Sequence, residues 1–239
     1  MSNELIVILC AGLVTGFSKF SVGGMGLLIL PIIMISYPGP QALAIILPMY
    51  LITDLLATFS YRKHIHWPLL RRLLPLCFLG VISGGWLLSS LDASQFNLML
   101  ATLIIAMLTL GIVLDNFPST FMQHPLSSKI IGYIGGFISL ISNAAGPIFS
   151  LYFMEQKLSK ATYVSTRSWA FLLINVAKIP VLYSLGILSV ESTALSFQAI
   201  PGLAIGAVLG YWLLKKIKLE QFKWLIRIMA CIAAIKLIF

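Results

Sequence analysis

The chain has 239 residues, 59% of them hydrophobic and only 10% charged, where a soluble domain carries about a quarter of its residues as charges. So few charges cannot cover a water-facing surface, and several apolar runs of about 20 residues place the chain among polytopic helical membrane proteins. The formal net charge of +9 sits in loops at the ends of those runs, where positive residues orient a chain in the bilayer; nucleic acid is not the partner this pattern implies.

In chain order the apolar segments run over 5–36, 41–61, 69–91, 96–114, 130–154, 162–185, 196–214 and 223–239. The opening "MSNELIVILCAGLV" lacks the basic start of a secretory signal, and its apolar run continues far past a signal's length. No polar stretch exceeds about 15 residues, so the whole of 1–239 reads as one transmembrane domain. Cys10, Cys77 and Cys231 fall in separate apolar segments without metal-ligand spacing and read as small buried residues. His64, His66 and His124 fall in loops without a carboxylate or thiol set around them, so neither metal nor cofactor is expected.

The most loop-like stretch, "DNFPSTFMQHPLSSK", divides the chain into halves of about 5–115 and 129–239, and the halves resemble one another. Shifted by 126 positions, Pro75 meets Pro201, Gly80 meets Gly206, Gly84 meets Gly210, Trp86 meets Trp212, and Gln95-Phe96 meets Gln221-Phe222. With slightly smaller shifts Gly12 meets Gly136 and Ser18 meets Ser142. The loop 62–72 holds Arg62, Lys63, Arg71 and Arg72, and the loop 215–223 holds Lys215, Lys216, Lys218 and Lys223. Both are expected on the cytoplasmic side. They follow different segments of their halves, so the halves are expected to have opposite topology, an architecture recurrent in secondary transporters.

Opposite topology needs an odd number of crossings per half, yet each half shows four apolar segments. One segment per half must therefore enter the bilayer, break and return. The first of each half, 5–36 and 130–154, carries small polar residues and glycines at its centre, "SKFSVGGMG" and "SNAAGP". The expected architecture is thus all-α, with two inverted repeats, each having a broken, re-entrant first segment and three further transmembrane helices. Broken backbone at that depth is tolerated only where protein or a water-filled cavity surrounds it. The two tips are expected to meet near the midplane.

Helix ends and free N–H groups at such tips favour an anion. Gly23 and Gly24 let backbone approach a ligand closely, and Lys19 adds a full positive charge beside Ser18 and Ser21. The second tip offers Ser142, Asn143 and Gly146. Asp54 and Lys178 lie inside apolar spans at similar depths of corresponding segments, with Asn175 beside Lys178. Charges there mark function, or a structural ion pair between the two. Thr166 is read as facing the second tip; Arg167 either does the same or sits at the membrane interface.

The stretches "GLVTGFSKFSVGGMGLLILPI", "GGFISLISNAAGPIFSLYF" and "STRSWAFLLINVAKIPVLY" resemble the TauE/SafE family of sulfite and organosulfonate exporters along nearly the whole chain. The small-residue tip ending in Gly146-Pro147, followed by Thr166, Asn175 and Lys178, is the most specific part. In the first tip the family usually has a longer glycine run than "VGGMG". The resemblance implies a carrier in the bacterial cytoplasmic (inner) membrane for a small sulfur-containing anion such as sulfite, sulfoacetate or a related sulfonate. In that reading Lys19 and the tip amides hold the anion, Asn143, Thr166 and Asn175 donate to its oxygens, and Asp54 is the candidate for coupling to a proton or sodium. An anion channel on the same scaffold is the alternative. An enzyme is not expected: the sequence has no HExxH, no paired intramembrane carboxylates and no nucleophile with a base at plausible spacing.

Overall fold

In a computed structural model of the chain, the described residues are 2–20, 26–60, 63–116, 120–213, 227–228, 231–232 and 234–235. Among them the backbone forms helices and no strand. The first half supplies α1 (Asn3–Phe20), α2 (Gly26–Ile33), α3 (Gln41–Ser60), α4 (Trp67–Ser89) and α5 (Ala93–Asn116). A 3₁₀ turn, Thr120–Gln123, leads to α6 (Pro125–Ser142), α7 (Gly146–Glu155), α8 (Lys160–Ser184), α9 (Val190–Phe197) and α10 (Ile200–Leu213).

Five of these helices, α1, α3, α4, α5 and α6, are long and apolar enough to cross a membrane, and the bent pair α9–α10 makes a sixth if counted as one span. The seventh segment differs from its expected 196–214: helix begins at Val190, and α9 and α10 meet at 47°. Residues 223–239 and the lysine loop 215–223 lie largely outside the described residues. α8 has 25 residues, a length of about 37 Å, but is not among the apolar spans because its inward face is polar.

Each first segment carries two helices: α1 and α2 stand on either side of residues 21–25, which lie outside the described residues, and α6 and α7 on either side of the break at Asn143 that the small residues there predict. α2 has 8 residues and α7 has 10, roughly 12–15 Å of helix against a hydrocarbon core of about 30 Å. α7 doubles back along α6. A Cβ built on Gly135 would lie 2.4 Å from the Phe149 ring, whereas a continuous helix would hold those residues about 21 Å apart. Leu27, Leu28, Ile29, Leu30 and Ile33 of α2, and Phe149, Tyr152 and Phe153 of α7, are buried. Other helices therefore cover the two short ones, and Ala144 and Ala145 at the break between α6 and α7 are buried away from lipid.

The third apolar segment of each half, through α4 and α10, grips the first helix of the other. A Cβ on Gly80 of α4 would lie 2.1 Å from the Tyr133 carbonyl oxygen of α6, and one on Gly206 of α10 would lie 2.0 Å from that of Leu13 in α1. Small residues let helix backbones touch where there is no hydrophobic drive to pull them together. The outer surface is apolar, with Trp86 at 79% and Tyr183 at 73% exposure. Cys10 and Cys231 lie on it, contrary to the expectation for them, while Cys77 is buried. An apolar thiol is as comfortable against lipid as inside the bundle.

Two loop histidines cap helices. The Nδ1 of His66 accepts from the Leu69 N–H at 3.2 Å, and that of His124 from the Leu126 N–H at 3.2 Å. Each satisfies a donor that a helix N-terminus leaves free, just ahead of a proline in the first turn.

Candidate anion site

The interruption in the second half is built by Asn143, which ends α6 at φ +54°. Asparagine enters this left-handed region more readily than most residues, and its N–H closes on the Ser139 carbonyl at 3.2 Å. The Ser142 hydroxyl donates to the Ile138 carbonyl at 2.9 Å and accepts from the Ala144 N–H at 3.3 Å. Ser142 therefore shapes the break. α7 then starts without a side-chain cap, leaving first-turn N–H groups free. Among the described residues, a Cβ built on Gly146 would meet nothing within 4 Å, and Gly146 lines a cavity between the two tips.

The tips do meet. A Cβ on Gly26, the first residue of α2, would lie 3.5 Å from the Asn143 carbonyl oxygen and 3.6 Å from the Tyr50 hydroxyl. Between the tips lies a cavity of about 50 Å³ lined by Ser18, Lys19, Gly26, Tyr50, Ser139, Asn143, Gly146, Pro147, Arg167, Phe171, Asn175 and Lys178, with apolar contributions from Leu27, Ile29 and Ala144. A water needs roughly 10–15 Å³ on this measure, so the space holds a few waters or one small ion.

The charged groups around it are wired in a repeated pattern. Lys19, at the end of α1, donates to Oδ1 of Asp54 in an ion pair. Lys178 donates from Nζ to Oδ1 of Asn143 at 2.7 Å. Each bond ties the end of a broken helix to the next long helix of the same half, and each joins residues 35 apart in sequence. A shift of 124 carries Lys19 onto Asn143 and Asp54 onto Lys178, with the cation on opposite partners. The expected ion pair between Asp54 and Lys178 is therefore corrected. These two positions correspond at that sequence shift, and among the described residues each bonds the tip of its own half rather than the other. The link between halves is instead Asn175, whose Nδ2 donates to Oδ2 of Asp54 at 2.7 Å.

Aromatic rings complete the setting. Lys19 Nζ lies 4.9 Å from the centroids of both Tyr50 and Phe171, and the Arg167 guanidinium lies 5.3 Å from that of Phe171. Such placements favour a desolvated cation.

Of the residues singled out from sequence, the structure gathers Ser18, Lys19, Asn143, Gly146, Asn175 and Lys178 on the cavity, with Asp54 directly behind Lys19. Ser21, Gly23 and Gly24 lie outside the described residues. Thr166 is engaged elsewhere: its hydroxyl accepts from the His66 N–H at 2.9 Å and ties the 63–66 loop to α8. The reason is helical phase. Arg167, Phe171, Asn175 and Lys178 are spaced four, four and three apart and form one stripe on α8, and Thr166 lies one residue off it. That spacing was the available signal for Arg167 and Phe171, and the four-residue step from Tyr50 to Asp54 was the signal for Tyr50.

A family model described as Sulfite exporter TauE/SafE matches residues 8–237. The chain belongs to the TauE/SafE sulfite exporter family. The match covers both interrupted segments and all the cavity residues, so the TauE/SafE assignment rests on the whole bundle rather than on one motif. The family is one of membrane transporters, which accords with the apolar spans. Searches of curated proteins and of solved structures found no match.

Proposed function

We propose that the protein is a secondary carrier that moves a small sulfur oxyanion across the bacterial cytoplasmic membrane by alternating access, binding it in the cavity between the two tips. The observation that carries this reading is the charge on that cavity. Lys19, Arg167 and Lys178 border it, one carboxylate, Asp54, stands close by, and the uncapped start of α7 adds partial positive charge. The volume of about 50 Å³ suits a small anion, a few waters in size. The packing of α4 on α6 and of α10 on α1, and the two corresponding bonds at the tips, support a pair of inverted repeats that rock about a fixed site. Asp54 is the coupling candidate. Both its oxygens are engaged by Lys19 and Asn175, so a proton or sodium ion would reach it as Lys19 releases.

The test is the thermal stability of the purified protein with sulfite, sulfate, thiosulfate, sulfoacetate, acetate and chloride. A ligand that binds only the folded state raises stability by about 2.7 kcal/mol at a hundred times its dissociation constant. The sulfur oxyanions are expected to stabilise more than acetate or chloride. Folded protein that responds to none of these anions would contradict the proposal.

A further inference from the structure

The three cations on the cavity differ in what already occupies them. Lys19 is spent on Asp54, and Lys178 on Asn143. Arg167 has a buried Nε with no hydrogen-bond partner among the described residues, and its guanidinium rests near the ring of Phe171. A buried donor left unpaired is costly unless a ligand completes it. The feature is also one-sided. At the shift of 124 that equates Asp54 with Lys178, the first half has Leu43, a buried apolar residue, where the second has Arg167.

We propose that Arg167 is the residue that selects an oxyanion, its Nε–H and an adjacent terminal N–H binding two oxygens of one ion in the cavity that Lys178 also lines, farther along the same stripe of α8. This rests on the anion site proposed above. A guanidinium is a rigid planar fork that matches two oxygens at once, whereas an ammonium is a point charge that serves a spherical halide equally well. Lys19, in this arrangement, holds the first tip to Asp54 and is not the main anion ligand. Phe171 keeps the fork oriented, and Lys178 supplies the second positive charge.

The test compares the full-length wild type, Arg167→Lys and Arg167→Gln, each purified in detergent. Dissociation constants for sulfite and for chloride are taken from ligand-induced stabilisation. Arg167→Lys keeps the charge and loses the fork, so sulfite is expected to weaken about tenfold or more while chloride changes little, a shift of roughly 1.4 kcal/mol in preference. Arg167→Gln is expected to weaken both anions. Should one variant not fold, the other decides: Gln through lost sulfite binding, Lys through the altered ratio. Sulfite binding unchanged in either folded variant would overturn the assignment. So would a lower melting temperature with the sulfite-to-chloride ratio intact, since that marks a packing role against Phe171. A wild type that binds no anion would instead overturn the underlying carrier reading, before the variants are compared.

Discussion

Replacing Asp54 with alanine is expected to destabilise the protein by about 3–5 kcal/mol, the usual cost of removing one partner from a buried ion pair. Asp54 is 2% exposed and its partner Lys19 is 18% exposed, so only the few waters of the cavity can take over part of the solvation that is lost. Two donors lose their acceptor at once, the Lys19 ammonium and the Asn175 amide. The melting temperature should fall by on the order of 10 °C. The double variant Lys19→Ala, Asp54→Ala should recover much of this, because it leaves no uncompensated charge behind. Additive losses in the double variant would mean that the two residues do not interact.

One methyl group should have opposite effects at two glycines. In Gly136→Ala the new Cβ would lie 2.0 Å from the Cys77 carbonyl oxygen and 3.0 Å from its Cα. Both obstacles are backbone, so no rotamer relieves the clash and α4 and α6 must move apart. Overpacking of side chains costs about 1–3 kcal/mol, and displacement of a whole helix contact is expected at or above the top of that range. Among the described residues, Gly111, in α5, has nothing within 4 Å of its added Cβ. There Gly111→Ala is expected to stabilise by about 0.5–1 kcal/mol through lost unfolded-state freedom and better helix propensity. Thermal melts of the two variants side by side check this. Equal effects would show that α4 and α6 are not in backbone contact.

The broken first segments were legible in the sequence because their glycines and small polar residues contradict the apolar runs around them. The close helix contacts at Gly80 and Gly206 were legible for a related reason, since glycine at matched positions serves packing. Partnerships were harder to read. Asp54 and Lys178 correspond at one sequence shift, but correspondence in sequence does not specify a partner, and here each bonds the tip of its own half. Thr166 went astray through phase: one residue is about 100° around a helix, enough to turn its hydroxyl from the cavity to the His66 N–H. Arg167 was placed between tip and interface because charge alone carries no direction; the stripe it shares with Phe171, Asn175 and Lys178 does.

The central claim is transport of a small sulfur oxyanion by a carrier, and counterflow tests it most directly. Purified protein is reconstituted into liposomes loaded with unlabelled sulfite and diluted into a trace of labelled sulfite. A carrier is predicted to accumulate the label transiently inside above its outside concentration, because outward flux of unlabelled ion returns the site inward-bound. Label that only equilibrates with the outside concentration, at a rate that does not saturate, would contradict the account and identify an anion channel on the same scaffold.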